Sequence, residues 1–167
     1  MKIRSLGHVV VRVTDCERAE RFYNGVLGLP ICARYDKDGV KMAFFTLGNH
    51  HDFAVMQLSG AAGGQGENAV GLDHVAFNIG RTLDELREAK AKLAAAGIES
   101  VPIDHEVTKS LYFKDPDGNG VELYVDASDA WRREPQRVAQ IQPLALSARE
   151  GEARSDTFPA DIGLGGR

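Results

Sequence analysis

The feature that most constrains this chain is that it repeats itself. His8-Val-Val-Val-Arg-Val13 is rich in β-branched residues, and Thr14-Asp15 then supplies a helix N-cap signal before Glu17-Arg-Ala-Glu-Arg-Phe-Tyr-Asn24. Gly25 and Gly28 mark the helix end, and extended segments follow at Ile31–Tyr35, Val40–Leu47 and Phe53–Leu58, broken by Asp36-Lys-Asp-Gly39 and Gly48-Asn49. After the small-residue stretch Ser59-Gly-Ala-Ala-Gly-Gly-Gln-Gly66 the same order returns. Leu72-Asp-His-Val-Ala-Phe77 is a strand, Thr82-Leu-Asp-Glu85 opens like a capping box, and a periodic helix runs to Ala96 and stops at Gly97. Strand Ile98–Ile103 and a final hairpin complete the second half. His8 to His74 is 66 positions and Gln57 to Glu122 is 65, two landmarks with nearly one offset. The expectation is an α+β fold of two tandem βαβββ modules, about residues 3–58 and 71–126 with a linker at 59–70. Together they make one domain, 1–126, and residues 127–167 are a C-terminal extension.

The final hairpin has the densest turn chemistry. In Asp115-Pro-Asp-Gly-Asn-Gly120 the proline presets φ, while Gly118 and Gly120 permit positive φ, which predicts a tight turn. On the strand after it Val121, Leu123 and Val125 alternate with Glu122 and Tyr124, so Glu122 points to the face opposite the aliphatic residues. A strand glutamate ordinarily faces water. The other reading is a ligand to a metal or substrate inside a cupped sheet.

Composition narrows the partners. With net charge −4, and Lys and Arg scattered rather than clustered, the chain has no basic face for nucleic acid. Cys16 and Cys32 lack metal or redox spacing, no apolar run approaches membrane-spanning length, and Met-Lys-Ile-Arg-Ser leads directly into a strand. The expectation is a cytoplasmic protein with no membrane segment. The extension is polar and irregular with Trp131 its only large anchor, and is expected to be peripheral or to wrap a second subunit.

A lone strand histidine is ordinarily structural, but His8 and His74 stand at the same register in two modules. A pseudo-twofold axis between modules would bring them together, and Glu122 on the last strand would complete two imidazoles and one carboxylate. That is the facial triad that suits Fe(II) and leaves coordination positions open.

Both halves resemble modules of the vicinal oxygen chelate superfamily, which includes glyoxalase I, bleomycin and fosfomycin resistance proteins, methylmalonyl-CoA epimerase and type I extradiol dioxygenases. The resemblance covers about residues 4–126 and is most specific over Tyr112-Phe-Lys-Asp-Pro-Asp-Gly-Asn-Gly-Val-Glu-Leu123. It implies a half-open barrel with His8, His74 and Glu122 as metal ligands. Gly48-Asn-His-His-Asp-Phe-Ala-Val55 is similar to the dioxygenase stretch whose histidine before the Asp is the acid-base catalyst, which implies that role for His51. Asp104-His105-Glu-Val-Thr-Lys-Ser-Leu-Tyr112 is similar to the stretch whose histidine and tyrosine contact substrate oxygens, implying His105 and Tyr112. His50 receives no role. Polar-loop readings of His51 and His105 and a packing reading of Tyr112 stand beside these.

The resemblance is nearest to the extradiol branch and implies an Fe(II)-dependent dioxygenase acting on a catechol-type aromatic diol and O2, with Mn(II) possible on the same ligands. The ring is expected among Val10, Phe44 and Phe53, and a one-domain form is expected to be a homodimer or higher homo-oligomer. The alternatives are a glyoxalase-like lyase or isomerase using Ni, Co or Zn, and a metal-free drug-binding resistance protein. The lyase branch takes a fourth ligand from the position of Gln57, whose amide oxygen is a weak neutral donor; a hydrogen-bonding role lining the cup is the preferred reading of Gln57.

Overall fold

The computed structural model describes residues 5–62 and 70–146, so most of the expected linker and the extension from 147 onward lie outside the described residues. The described chain falls into two compact units. The first holds residues up to 62 together with Asp115–Asn119, and the second holds the rest.

In the first unit β1 (Val9–Arg12), β2 (Ile31–Lys37), β3 (Val40–Phe45) and β4 (Phe53–Leu58) form an open sheet in the order β1-β4-β3-β2. Helix α1 (Cys16–Glu20) continues as a wider turn over Arg21–Val26, closed by a hydrogen bond from Leu27 N to the Phe22 carbonyl. Asp15 caps it, accepting from Arg18 N at 3.0 Å. Period-two alternation turns Val11, Ala43, Phe45, Phe53 and Val55 toward this helix, and all are buried. Their core partner is Tyr23, whose ring lies 4.6 Å from that of Phe53 and 5.9 Å from that of Phe45.

The second unit repeats the plan. Strands β5 (His74–Gly80), β6 (Val101–Asp104), β7 (Thr108–Lys114) and β8 (Gly120–Asp126) run in the order β5-β8-β7-β6, with the first and last strands of each module parallel. Helix α2 (Leu83–Ala95) opens with the expected capping box between Thr82 and Glu85 and buries Leu86 and Leu93. Val121, Leu123 and Val125 form the buried row of β8, with Leu111 and Phe113 beside them on β7. The expected α+β fold of two βαβββ modules is present, and neither sheet closes on itself.

Three expectations are corrected by the register. With His8 aligned to His74, the residue two positions beyond each histidine pairs across the parallel ladder with Ala54 in the first unit, through Val10, and with Glu122 in the second, through Ala76. Ala54 therefore occupies the position equivalent to Glu122, and Gln57 does not. Gln57 lies three residues further on, on the helix side of its sheet, where its side-chain oxygen accepts the Cys16 N–H at 2.8 Å. It caps a helix rather than lining a cup, because an odd displacement along a strand reverses the face. Phe53 is likewise a core residue, 1% exposed, whereas Val10 and Phe44 lie on the opposite face.

The turn 115–119 forms as expected, with Gly118 at φ +86°. Gly120 is needed for a different reason. It does not have positive φ; a Cβ there would stand 2.1 Å from the Asp73 carbonyl oxygen.

The extension is more ordered than its composition implies. Residues 142–143 form β9, which pairs with β6 through Ile103 and Asp104, and Leu146 is buried. Trp131, the expected anchor, is 40% exposed and stacks with the Arg132 guanidinium. Leu146 and backbone pairing hold the segment down instead, satisfying an edge that polar composition does not reveal.

Candidate functional site

Each unit carries its own cluster on the sheet face away from its helix. In the second unit the alternation that buries Val121 and Leu123 sends Glu122 to the other face, as expected, yet Glu122 is only 7% exposed. Ser110 and Tyr112 of β7 share that face, as does His74 of β5. The Ser110 hydroxyl donates to Glu122 Oε1 at 2.5 Å, and His74 Nε2 lies 3.0 Å from Glu122 Oε2. The other imidazole nitrogen, Nδ1, is 2.6 Å from the Asp73 carboxylate, which fixes the ring when Nδ1–H donates to it. In the neutral imidazole so oriented, the Nε2 lone pair faces a carboxylate oxygen. Two electron-rich atoms at that separation require a positive charge between them, either a proton or a metal ion. The donor set, an imidazole and a carboxylate each held by an outer hydrogen bond, fits a divalent first-row cation.

Tyr112 stands against the same pair. Its ring meets His74 edge-on at 5.2 Å, and its hydroxyl lies 2.9 Å from His105 Nε2. His105 Nδ1 in turn lies 2.8 Å from the backbone oxygen of Gln140. A carbonyl can only accept, so Nδ1 carries the proton and Nε2 accepts from the tyrosine. Burial, with the nearby charge of Glu122, pushes the Tyr112 phenol well above its ordinary range, so it remains a donor across physiological pH.

In the first unit His8 lies just before β1 and His51 just before β4. Their rings are 4.2 Å apart, and the edge of Phe44 meets His51 at 5.3 Å. Burial lowers the His51 pKa, and the adjacent His8 and His50 lower it further, which keeps the ring neutral and able to accept a proton. Ala54, with no side chain beyond Cβ, occupies the Glu122-equivalent position of this unit. The structure thus groups His8 with His51, and His74 with Glu122, Tyr112 and His105, within their respective units.

Four contributors escape a reading of the sequence. Asp73 adjoins His74 and Ser110 is two residues from Tyr112 on the same face, so alternation could have found both. Gln140 acts through its backbone and carries no side-chain signal. His50 is close to both His8 and His51, which its neighbour in the sequence alone announces.

Among the described residues no helix is long and apolar enough to cross a membrane. A biphenyl-2,3-diol 1,2-dioxygenase of Rhodococcus globerulus is 38% identical over 126 residues, covering 72% of this chain and 63% of the relative. The chain spans about three fifths of the length of the curated dioxygenases it matches. A probable lactoylglutathione lyase of Synechocystis is 28% identical over 127 residues, covering 72% of this chain and 95% of the relative. Among solved structures, a fosfomycin resistance protein from Listeria monocytogenes, complexed with Mn(II) and dihydroxypropylphosphonic acid, matches at a TM-score of 0.60 and 23% identity. That match covers 80% of this chain and 99% of the other. The family profile described as Glyoxalase/Bleomycin resistance protein/Dioxygenase superfamily matches residues 5–123, and with the duplicated βαβββ topology this establishes that the chain belongs to that superfamily.

Proposed function

We propose that this chain is an Fe(II)-dependent extradiol dioxygenase that cleaves a catechol-type aromatic diol with O2, and that His8, His74 and Glu122 are its metal ligands. Mn(II) would fit the same donors, and Mn(II) is present in the Listeria relative. When bound, the metal would acidify the diol and bring the two reactants to one centre. The chain's own residues supply the rest. Asp73 and Ser110 hold His74 and Glu122 in orientation. Tyr112, kept protonated, gives its single O–H to His105 Nε2, which fixes its direction, and its phenol oxygen accepts from a substrate hydroxyl. His51, kept neutral, takes a proton from the substrate side and returns it during ring opening. Val10 and Phe44, on the same sheet face as Ala54, offer apolar contact for the ring.

The observation that carries this reading over its alternative is the fate of Gln57. A lyase-type site takes a fourth protein ligand, whereas a bidentate diol and O2 leave an octahedral ion only three positions for protein. Gln57 spends its oxygen on the Cys16 N–H, and Ala54 at the Glu122-equivalent position has no donor atom. A glyoxalase-like lyase or isomerase using Ni, Co or Zn is the second reading, favoured by the match over nearly the full length of the Synechocystis lyase.

Oxygen uptake with a panel of catechols after anaerobic Fe(II) reconstitution separates the two. Uptake is expected in the wild type and should fall by about 10²-fold or more in His51→Ala. Lactoylglutathione formation with Ni(II), and no uptake with any catechol, would replace this reading with the lyase. The proposal includes a homodimer or higher homo-oligomer in the cytoplasm, which light scattering on the purified chain tests for assembly.

A further inference from the structure

The first unit contains a group of side chains that the proposed reaction does not use as a group. His8, His50 and His51 each present a ring nitrogen, and these three atoms lie within 4.8 Å of one another. Their rings are mutually close, with centroids 4.6 Å apart for His50 and His51 and 6.4 Å for His8 and His50. Among the described residues, no carboxylate joins these three imidazoles. The nearest acid in the sequence, Asp52, is already used, since its Oδ2 accepts Leu47 N at 2.6 Å and Asn49 N at 3.4 Å.

The loop that carries two of the three histidines is braced. Thr46 Oγ1 donates to the Asn49 carbonyl at 2.6 Å and accepts Gly48 N at 3.0 Å. Asp52 N bonds the Phe45 carbonyl, and Val9 N, next to His8, bonds the Asp52 carbonyl at 3.1 Å. Asn49 Oδ1 accepts the His50 backbone N–H at 2.8 Å and lies 2.9 Å from His50 Nδ1. An amide oxygen accepts only, so Nδ1 carries the proton and Nε2 is left with its lone pair free. This is the outer-shell hydrogen bond that orients an imidazole for a metal.

The geometry points to a second metal site in the first unit, in which His8, His50 and His51 bind a late first-row divalent cation such as Zn(II), with water in the fourth position. Three neutral imidazoles and a water make a four-coordinate donor set that Zn(II) accepts. The set contains no hard anionic oxygen, so it discriminates against Mg(II) and Mn(II), and the order of divalent affinities favours Zn(II) and Cu(II) over Fe(II). His8 belongs both to this set and to the proposed iron ligands, and one imidazole nitrogen cannot serve two cations. Zn(II) held by the three histidines therefore withholds His8 and His51 from iron and substrate. The inference shares His8 with the proposed function but does not depend on the reaction, because His50 has no part in that reaction.

The test uses the full chain with His74→Ala and Glu122→Ala combined, which removes the other ligands, and measures Zn(II) by equilibrium dialysis. One equivalent of Zn(II) is expected to bind. Adding His50→Gln to the same background should weaken it by about tenfold or more while leaving the circular dichroism unchanged. Co(II) used in place of Zn(II) should show visible ligand-field absorption that is lost on the same substitution. Absence of Zn(II) binding in the double variant, or binding that His50→Gln leaves unaltered, would overturn the site. Neither readout involves dioxygen or a catechol, so a chain without dioxygenase activity could still carry this site.

Discussion

The Ser110 hydroxyl is fully buried and spends its proton on Glu122, so the carboxylate keeps one oxygen fixed while the other faces His74. Ser110→Ala leaves β7 intact because alanine fits the vacated volume. The expected outcome is a loss of about 10-fold or more in metal affinity together with about 1–3 kcal/mol of stability, because Glu122 Oε1 is left buried without its donor, measured by metal titration beside urea denaturation. Gly120 works by absence of a side chain. A Cβ would lie 2.1 Å from the Asp73 carbonyl and 2.9 Å from His74 Cβ, and neither neighbour is the end of a flexible chain. Gly120→Ala should therefore destabilise the fold by about 1–3 kcal/mol and weaken metal binding together.

At the scale of elements, β9 has an effect out of proportion to its two residues. It covers the free edge of β6, and the segment leading into it supplies the Gln140 carbonyl that fixes the tautomer of His105. A chain ended after Asp126 should lose both. Its urea midpoint is expected to fall, and in the proposed reaction kcat should drop as Tyr112 loses an oriented acceptor; an unchanged kcat in the shortened chain would remove the extension from the mechanism. The two modules also show how alternation builds a site. In each, one row of a strand is committed to the helix side, and the opposite row is left to carry His74, Tyr112 and Glu122 in one module and Val10, Phe44 and Ala54 in the other.

At the scale of the whole molecule, the first unit cannot be completed from the N-terminal half alone. Asp115 accepts the hydroxyl of buried Tyr23 at 2.9 Å, and Asp117 accepts Thr14 N at 3.0 Å, the Thr14 hydroxyl, and Arg18 Nη2 at 2.8 Å. These bonds join residues about a hundred positions apart, so they contribute non-local contacts that are slow to form. Burial raises the Asp117 pKa, but hydrogen bonds from Thr14 and Arg18 outweigh it and hold the carboxyl below its ordinary 3.8. A carboxyl whose folded pKa is depressed adds stability that is present above the unfolded value and is lost as pH falls through the folded one. Asp117→Asn should cost about 1–2 kcal/mol at pH 7, discounted for the half-exposed arginine, and the difference from wild type should close as pH falls below about 4. Urea unfolding at pH 7 and at acid pH checks both the size and the sign.

The repeat, the helix caps and the face of Glu122 were legible in the sequence because each depends on local periodicity or on one turn of chain. The choice of His51, His105 and Tyr112 came from resemblance; the structure adds that His105 and Tyr112 are hydrogen-bonded to each other beside His74, and that His51 lies with His8 in the other unit. Tertiary structure alone decided that Ala54 rather than Gln57 matches Glu122, that Gly120 answers the carbonyl of Asp73 just before β5, and that Leu146 rather than Trp131 holds the extension. Each of those turns on strand register or on backbone pairing between distant segments. Alternation along a strand assigns a side chain's face, but not which residue of a neighbouring strand or distant segment stands opposite it, so sequence periodicity does not supply these pairings.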